Sequence, residues 1–172
     1  MTYRFAPADP VRYPGGPHAF GHDPQGFADQ PAPDFRPDVK SFLTAPLTEE
    51  LTLSGRIKAT LEVSTTAPAT MFLIRVSCVQ TNGTTTPIQD YPAVFTPAAP
   101  GERAAVPFET DPVCWTLHPG EKLRLDVTSS DAHSYRVHTN TRDDWMTAAH
   151  AYPCDNTVYF GESKLLLPVR HG

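Results

Sequence analysis

Three serines, an aspartate and a histidine crowd into one stretch, Ser129-Ser130-Asp131-Ala132-His133-Ser134, and these are the residue types of a nucleophile, its base and the acid that orients it. A triad is defined by geometry in space, which adjacency along the chain does not supply. Serine hydrolysis of the α/β kind also needs its nucleophile on a sharp Gly-x-Ser-x-Gly elbow. The near match, Gly161-Glu162-Ser163, runs on into Lys164-Leu165. The plainer reading of 129–134 is a polar loop whose Asp and Ser side chains bond nearby backbone amides. No residue is therefore assigned as catalytic, and the isolated chain is expected to hydrolyse nothing.

Histidine and cysteine pairs at ligand-like spacing are His18 with His22, Cys114 with His118, His133 with His138, and His150 with Cys154. A structural zinc wants four such ligands in recognisable pairs, so neither a metal nor a cofactor is expected. Gly15-Gly16 is followed by no Lys-Ser/Thr and reads as a turn, not a phosphate loop. Trp115 and Trp145 are candidate sugar-stacking platforms, but Trp115 sits inside a strand pattern and reads as core.

The elements that would position these groups are strands. In 51–80, Ile57, Ala59, Leu61 and Val63 alternate with Arg56, Lys58, Thr60 and Glu62, which is period two. Phe72, Ile74, Val76 and Cys78 resume the alternation after a short connector, and Leu73 and Val79 suggest cover on both faces. Asn82-Gly83 is a hairpin turn. Leu123, Leu125 and Val127 alternate with Arg124, Asp126 and Thr128, which reads as a strand with one face in water. Leu165 and Leu167 complete the expected inward set. Shorter strands are expected at 39–43, 113–117, 157–160 and 164–169. Pro92 and Pro107 mark 88–95 and 101–109 as edge candidates. Only 143–150 reads as a helix, and a short one. The fold class is all-β, a jelly-roll β-sandwich with minor helix.

Residues 1–38 read as an extended Pro/Gly-rich arm pinned by Tyr13, Phe20, Phe27 and Phe35, with the sandwich spanning 39–172. At 172 residues and net charge -5, the chain makes one acidic domain, which argues against nucleic acid as partner. No apolar run is long enough to span a membrane. The start lacks a signal-peptide core, and Cys78, Cys114 and Cys154 read as reduced thiols, so a cytoplasmic location is expected.

Many small pieces, in one order, carry a resemblance. They are Asp9-Pro10-Val11, Asp29-Gln30, Arg36-Pro37-Asp38-Val39, Leu53-Ser54-Gly55, Leu61-x-Val63-Ser64, Leu123-Arg124-Leu125-Asp126-Val127, Ser129-Ser130-Asp131, His138-Thr139-Asn140-Thr141 and Asn156-Thr157-Val158-Tyr159. The pattern resembles the C-terminal, non-catalytic domain of X-Pro dipeptidyl-peptidases and of the related cocaine-esterase and cephalosporin-acylase-like serine hydrolases. The resemblance implies a galactose-binding-like jelly roll packed on an α/β-hydrolase catalytic domain, in cis or as a separate chain, with the whole triad in that other domain. It also implies that Leu61 and Glu62 lie at a substrate-pocket wall, where the family often places an aromatic residue and this chain has Glu62. Family members usually carry one more strand before Asp-Pro-Val. Its loss here would leave an open edge and favour a homo-oligomer. The alternatives are a stand-alone β-sandwich module for a ligand or carbohydrate, and a purely structural oligomerisation domain.

Overall fold

A computed structural model describes residues 1–15, 26–144, 147 and 149–170. His18, Phe20, His22 and Trp145 lie outside the described residues. Nine strands are found among them: β1 (Thr2–Phe5), β2 (Lys40–Leu43), β3 (Leu51–Thr65), β4 (Thr70–Val79), β5 (Thr85–Phe95), β6 (Ala104–Leu117), β7 (Lys122–Thr128), β8 (Cys154–Val158) and β9 (Lys164–Leu166). They form two antiparallel sheets. One runs β1-β8-β3-β6, with β9 also on β3, and the other runs β2-β7-β4-β5. The first eight strands interleave between the sheets as a jelly roll does, so hairpins are rare and most contacts are long-range. The helix expected at 143–150 is absent from the described residues, which form bends and a turn there.

The inward row of β3 meets the inward row of β4. Ile57, Ala59, Leu61 and Val63 pack with Phe72, Ile74 and Val76 in two adjoining apolar clusters, joined by Leu123 and Val127 of β7. Leu125 and Leu165 are only partly buried but touch both clusters, and Leu167 covers the second. At 15 residues, β3 is long enough to take β6 along one edge and β8, then β9, along the other. It bends at a bulge between Arg56 and Lys58, just after Gly55, whose φ is +132°. A Cβ at Gly55 would also stand 3.2 Å from the Pro168 ring. β5 and β6 end their sheets, as their prolines require. β6 is continuous where the sequence suggested two pieces.

Two expectations are corrected. A strand does precede Asp9-Pro10-Val11: β1 adds to β8 with Tyr3 and Phe5 inward, and the N-terminal amine donates to Val158 O at 2.7 Å. The argument for self-association from a lost strand therefore falls. The alternate row of β7 does not face water either. Arg124, Asp126 and Thr128 are buried, because residues 11–15 and 29–35 lie across the outer face of the four-stranded sheet. Val11 N donates to Ser130 Oγ at 3.0 Å, Tyr13 OH donates to Asp126 Oδ2 at 3.1 Å, and Arg124 Nη1 donates to Pro31 O at 2.5 Å.

Candidate functional site

The Ser/Asp/His cluster is a scaffold for that covering segment. Ser129 Oγ is fully buried, 2.8 Å from both Tyr3 OH and Asn156 Nδ2. Ser130 Oγ takes the Val11 amide, and Asp131 takes the amides of Tyr13 at 3.2 Å and His133 at 3.3 Å. His133 Nδ1 lies 3.0 Å from Tyr13 O, an acceptor, so that nitrogen carries the proton. Ser163 Oγ donates to Tyr159 O and accepts from Glu62 N, closing a turn. Ser130 and Asp131 thus hold remote backbone, Ser129 is tied to side chains, and only the bond from His133 N to Asp131 is the local one that the plainer reading of 129–134 described.

Above them lies a polar row that the sequence pattern did not reveal. Register places Ser41, Asp126, Arg75 and Asp90 side by side across β2, β7, β4 and β5. Arg75 is 0% exposed; its Nη1 donates to Asp90 Oδ2 at 2.9 Å and Asp131 Oδ2 at 3.0 Å, and its guanidinium stands 4.4 Å over the Tyr13 ring. Arg124 grips Asp126 through Nε at 2.7 Å and Nη2 at 2.8 Å. Tyr135 OH donates to Asp90 Oδ1 at 2.5 Å. Burial, and then the neighbouring carboxylates Asp126 and Asp90, push the phenols of Tyr13 and Tyr135 well above their ordinary range.

The outer face of the five-stranded sheet is different: no segment among the described residues crosses it. It bears Arg4 paired with Asp155 at 3.3 Å, Lys58 and Arg56 paired with Glu109, and Arg56 with Asp111. Leu166 stands 62% exposed among them. Leu61 and Glu62, neighbours in sequence, part here. Leu61 points into the core at 1% exposure, while Glu62 points outward, 3.4 Å from Arg103 Nε. Arg103 also pairs with Glu162 and lies 4.2 Å over the Tyr159 ring, so two carboxylates share one guanidinium. That guanidinium holds the Glu162 carboxyl below its usual range.

Of the metal-ligand pairs, Cys114 and His118 are both exposed, and His118 Nδ1 lies 3.3 Å from Glu50. His138 Nδ1 accepts the Asn140 amide at 3.0 Å, and Cys154 is buried against Asn156. Among the described residues no three His, Cys, Asp or Glu side chains gather as a metal site. Trp115 is half-buried, meeting Phe27 edge-on at 5.6 Å. Three open concavities of 280–320 Å³, one beside Met1, Asp34 and Ser41, one beside Arg4, Asp9 and Arg36 and one beside Ala69, His138 and Arg142, do not include Glu62.

Jelly-roll order, a polar loop consumed by its own scaffold and one bare sheet face describe a β-sandwich domain. The chain belongs to the family of X-Pro dipeptidyl-peptidase C-terminal non-catalytic domains, whose pattern matches residues 22–164. It is 30% identical to cocaine esterase of Rhodococcus sp. (strain MB1 Bresler) over 149 residues, 81% of this chain and 26% of that enzyme. Its fold is like that of an α-amino acid ester hydrolase (TM-score 0.82, 22% identity, 99% of this chain and 32% of the other). An aminopeptidase from a marine sediment Thaumarchaeota archaeon is similar too (TM-score 0.76, 19% identity, 92% and 30%). The chain thus spans about a quarter to a third of the relatives it matches.

Proposed function

We propose that this domain docks through the outer face of its five-stranded sheet onto an α/β-hydrolase catalytic domain, in cis or as a separate chain. There it shapes substrate access to a serine hydrolase of X-Pro peptide, ester or amide bonds. The observation that carries the reading is the unequal treatment of the two outer faces. One is sealed by the chain's own residues 11–15 and 29–35 over buried arginines, while the other is left bare with its charges already paired across strands. Paired charges lose less on desolvation than single ones, which suits a face that meets protein. Glu62, held by Arg103, is the residue placed at the seam, and Leu61 supports it from the core. With two carboxylates on one guanidinium, the seam favours a substrate's ammonium or a basic side chain over an acidic one.

The test pairs this chain with a family hydrolase whose own C-terminal domain is deleted. Restored turnover of an activated ester, lowered by Glu62→Ala, is expected, and the chain alone should turn over none. A hydrolase that neither binds the chain nor regains activity would overturn the reading. A stand-alone ligand or carbohydrate module is the second reading, favoured by Phe27, 73% exposed, on the edge of Trp115. Saturable binding of a soluble glycan that is lost in Phe27→Ala would select it. The cytoplasm is the location proposed for either.

A further inference from the structure

The chain has three asparagines, and their surroundings differ in a way that matters chemically. Asn140 and Asn156 are 1% and 0% exposed, precede threonines, and have side-chain amides locked by Tyr152 O with Thr70, and by Ser129 with Thr70. Asn82 is exposed, precedes Gly83, and sits at the tip of the β4–β5 hairpin. Gly83 has φ +92° and nothing within 4 Å of where a Cβ would be, so no side chain at or around that residue crowds the turn. The Asn82 side chain curls forward over that amide, because its Oδ1 accepts the Thr84 N–H at 2.9 Å. The Asx ring so closed contains both the Asn82 carboxamide carbon and the Gly83 nitrogen. The Thr84 N–H therefore points at the oxygen on which negative charge would develop if that nitrogen attacked.

We propose that Asn82 is a self-modification site of the folded protein, converting to aspartate and isoaspartate through a succinimide. The Gly83 nitrogen loses its proton to solvent base and bonds to the Asn82 side-chain carbon. The side-chain nitrogen then leaves as ammonia, and water reopens the ring at either carbonyl. No oxidant or reductant is needed. The attack must first release the Gly83 N–H from Gln80 O, 3.0 Å away, and because the nitrogen attacks only once deprotonated, the rate rises with pH. The two products differ in consequence. Aspartate keeps an oxygen for the Thr84 amide, whereas isoaspartate inserts a methylene into the turn and breaks the 2.8 Å bond from Gln80 N to Thr84 O.

The experiment incubates the full chain in mildly alkaline heavy-oxygen water and maps its peptides by mass. Isoaspartate is counted by enzymatic methylation. The expected result is label at position 82, absent from 140 and 156, faster at higher pH, and abolished in Asn82→Gln. A second arm compares the folded chain with Thr84→Pro, which lacks the amide donor, and this variant should slow the reaction at 82 several-fold. Label at all three asparagines alike, or none at 82, would overturn the site. Equal rates with and without the Thr84 amide would overturn the role given to that hydrogen bond.

Discussion

Replacing Arg75 by methionine tests whether the outer face of the four-stranded sheet is as dry as it looks. Met keeps much of the volume and removes the charge from a side chain that is fully buried between Asp90 and Asp131. Both carboxylates are themselves buried, so each is left in a low-dielectric site without its partner. Breaking a buried pair in this way costs about 3–5 kcal/mol, most of it the desolvation of the orphaned charge. Arg75 Nε and Nη2 meet no acceptor among the described residues, so part of the cost of burying the guanidinium is recovered on removal. The expectation is therefore the lower half of the range, about 3–4 kcal/mol, or roughly 6–16 °C in Tm for a domain of this size.

Denaturant melts at two pH values supply the decisive contrast. A buried carboxylate without a partner has its pKa raised, so it contributes stability below its unfolded value near 4 and loses it as pH rises. Arg75→Met should then fall furthest behind the parent at neutral pH and recover part of the gap toward pH 4. Adding Asp131→Asn should recover part of it at neutral pH. A loss under about 1 kcal/mol, flat with pH, would mean that water reaches the row and that residues 11–15 do not seal it.

Three further outcomes follow from the packing. Leu125→Ala should cost about 2 kcal/mol by urea melt, the low end for a core leucine, because Leu125 bridges both apolar clusters while keeping some exposure. Tyr3, Tyr13 and Tyr135 have phenols raised chiefly by burial, so the stability of keeping them neutral is full below pH 10 and lost above it. Phenolate absorbance should then show these three of the six tyrosines still un-ionised in the native chain until alkaline unfolding. A thiol reagent should modify Cys114 quickly in the native state, and Cys78, whose thiol burial pushes up to about 12, and the buried Cys154 only on unfolding.

The architecture was legible where alternation and burial agree. Ile57 to Val63 and Phe72 to Val76 face each other as their period required, and Pro92 and Pro107 fell on edge strands for want of an amide donor. β1 was passed over although Tyr3 and Phe5 alternate with Thr2 and Arg4, because four residues beside a proline-rich run give the pattern too little length. Glu62 could be read as outward and Leu61 as inward from the same alternation, yet only the three-dimensional neighbours show that Arg103 and Glu162 come from distant segments to meet it.

The harder failure is that of β7. Arg124 and Asp126 at alternate positions are what a water-facing row looks like, and they are equally what a buried charged row looks like. Local sequence cannot separate the two, because the difference lies in which other chain segment arrives above the sheet. Here Asp126 draws Tyr13 and Ser41, while Arg124 draws the carbonyls of Pro31 and Ala32, over sequence separations of 85 to 113 residues. Arg124 and Asp126 also pair with each other, but their remaining bonds go to partners that distant, which commits the covering segment to one register, since a slip of one residue would leave those buried groups short of partners. The polar row thus specifies where residues 11–15 and 29–35 lie more sharply than an apolar row would. The outer face of the five-stranded sheet has no such covering segment among the described residues, and its charges pair within the sheet instead.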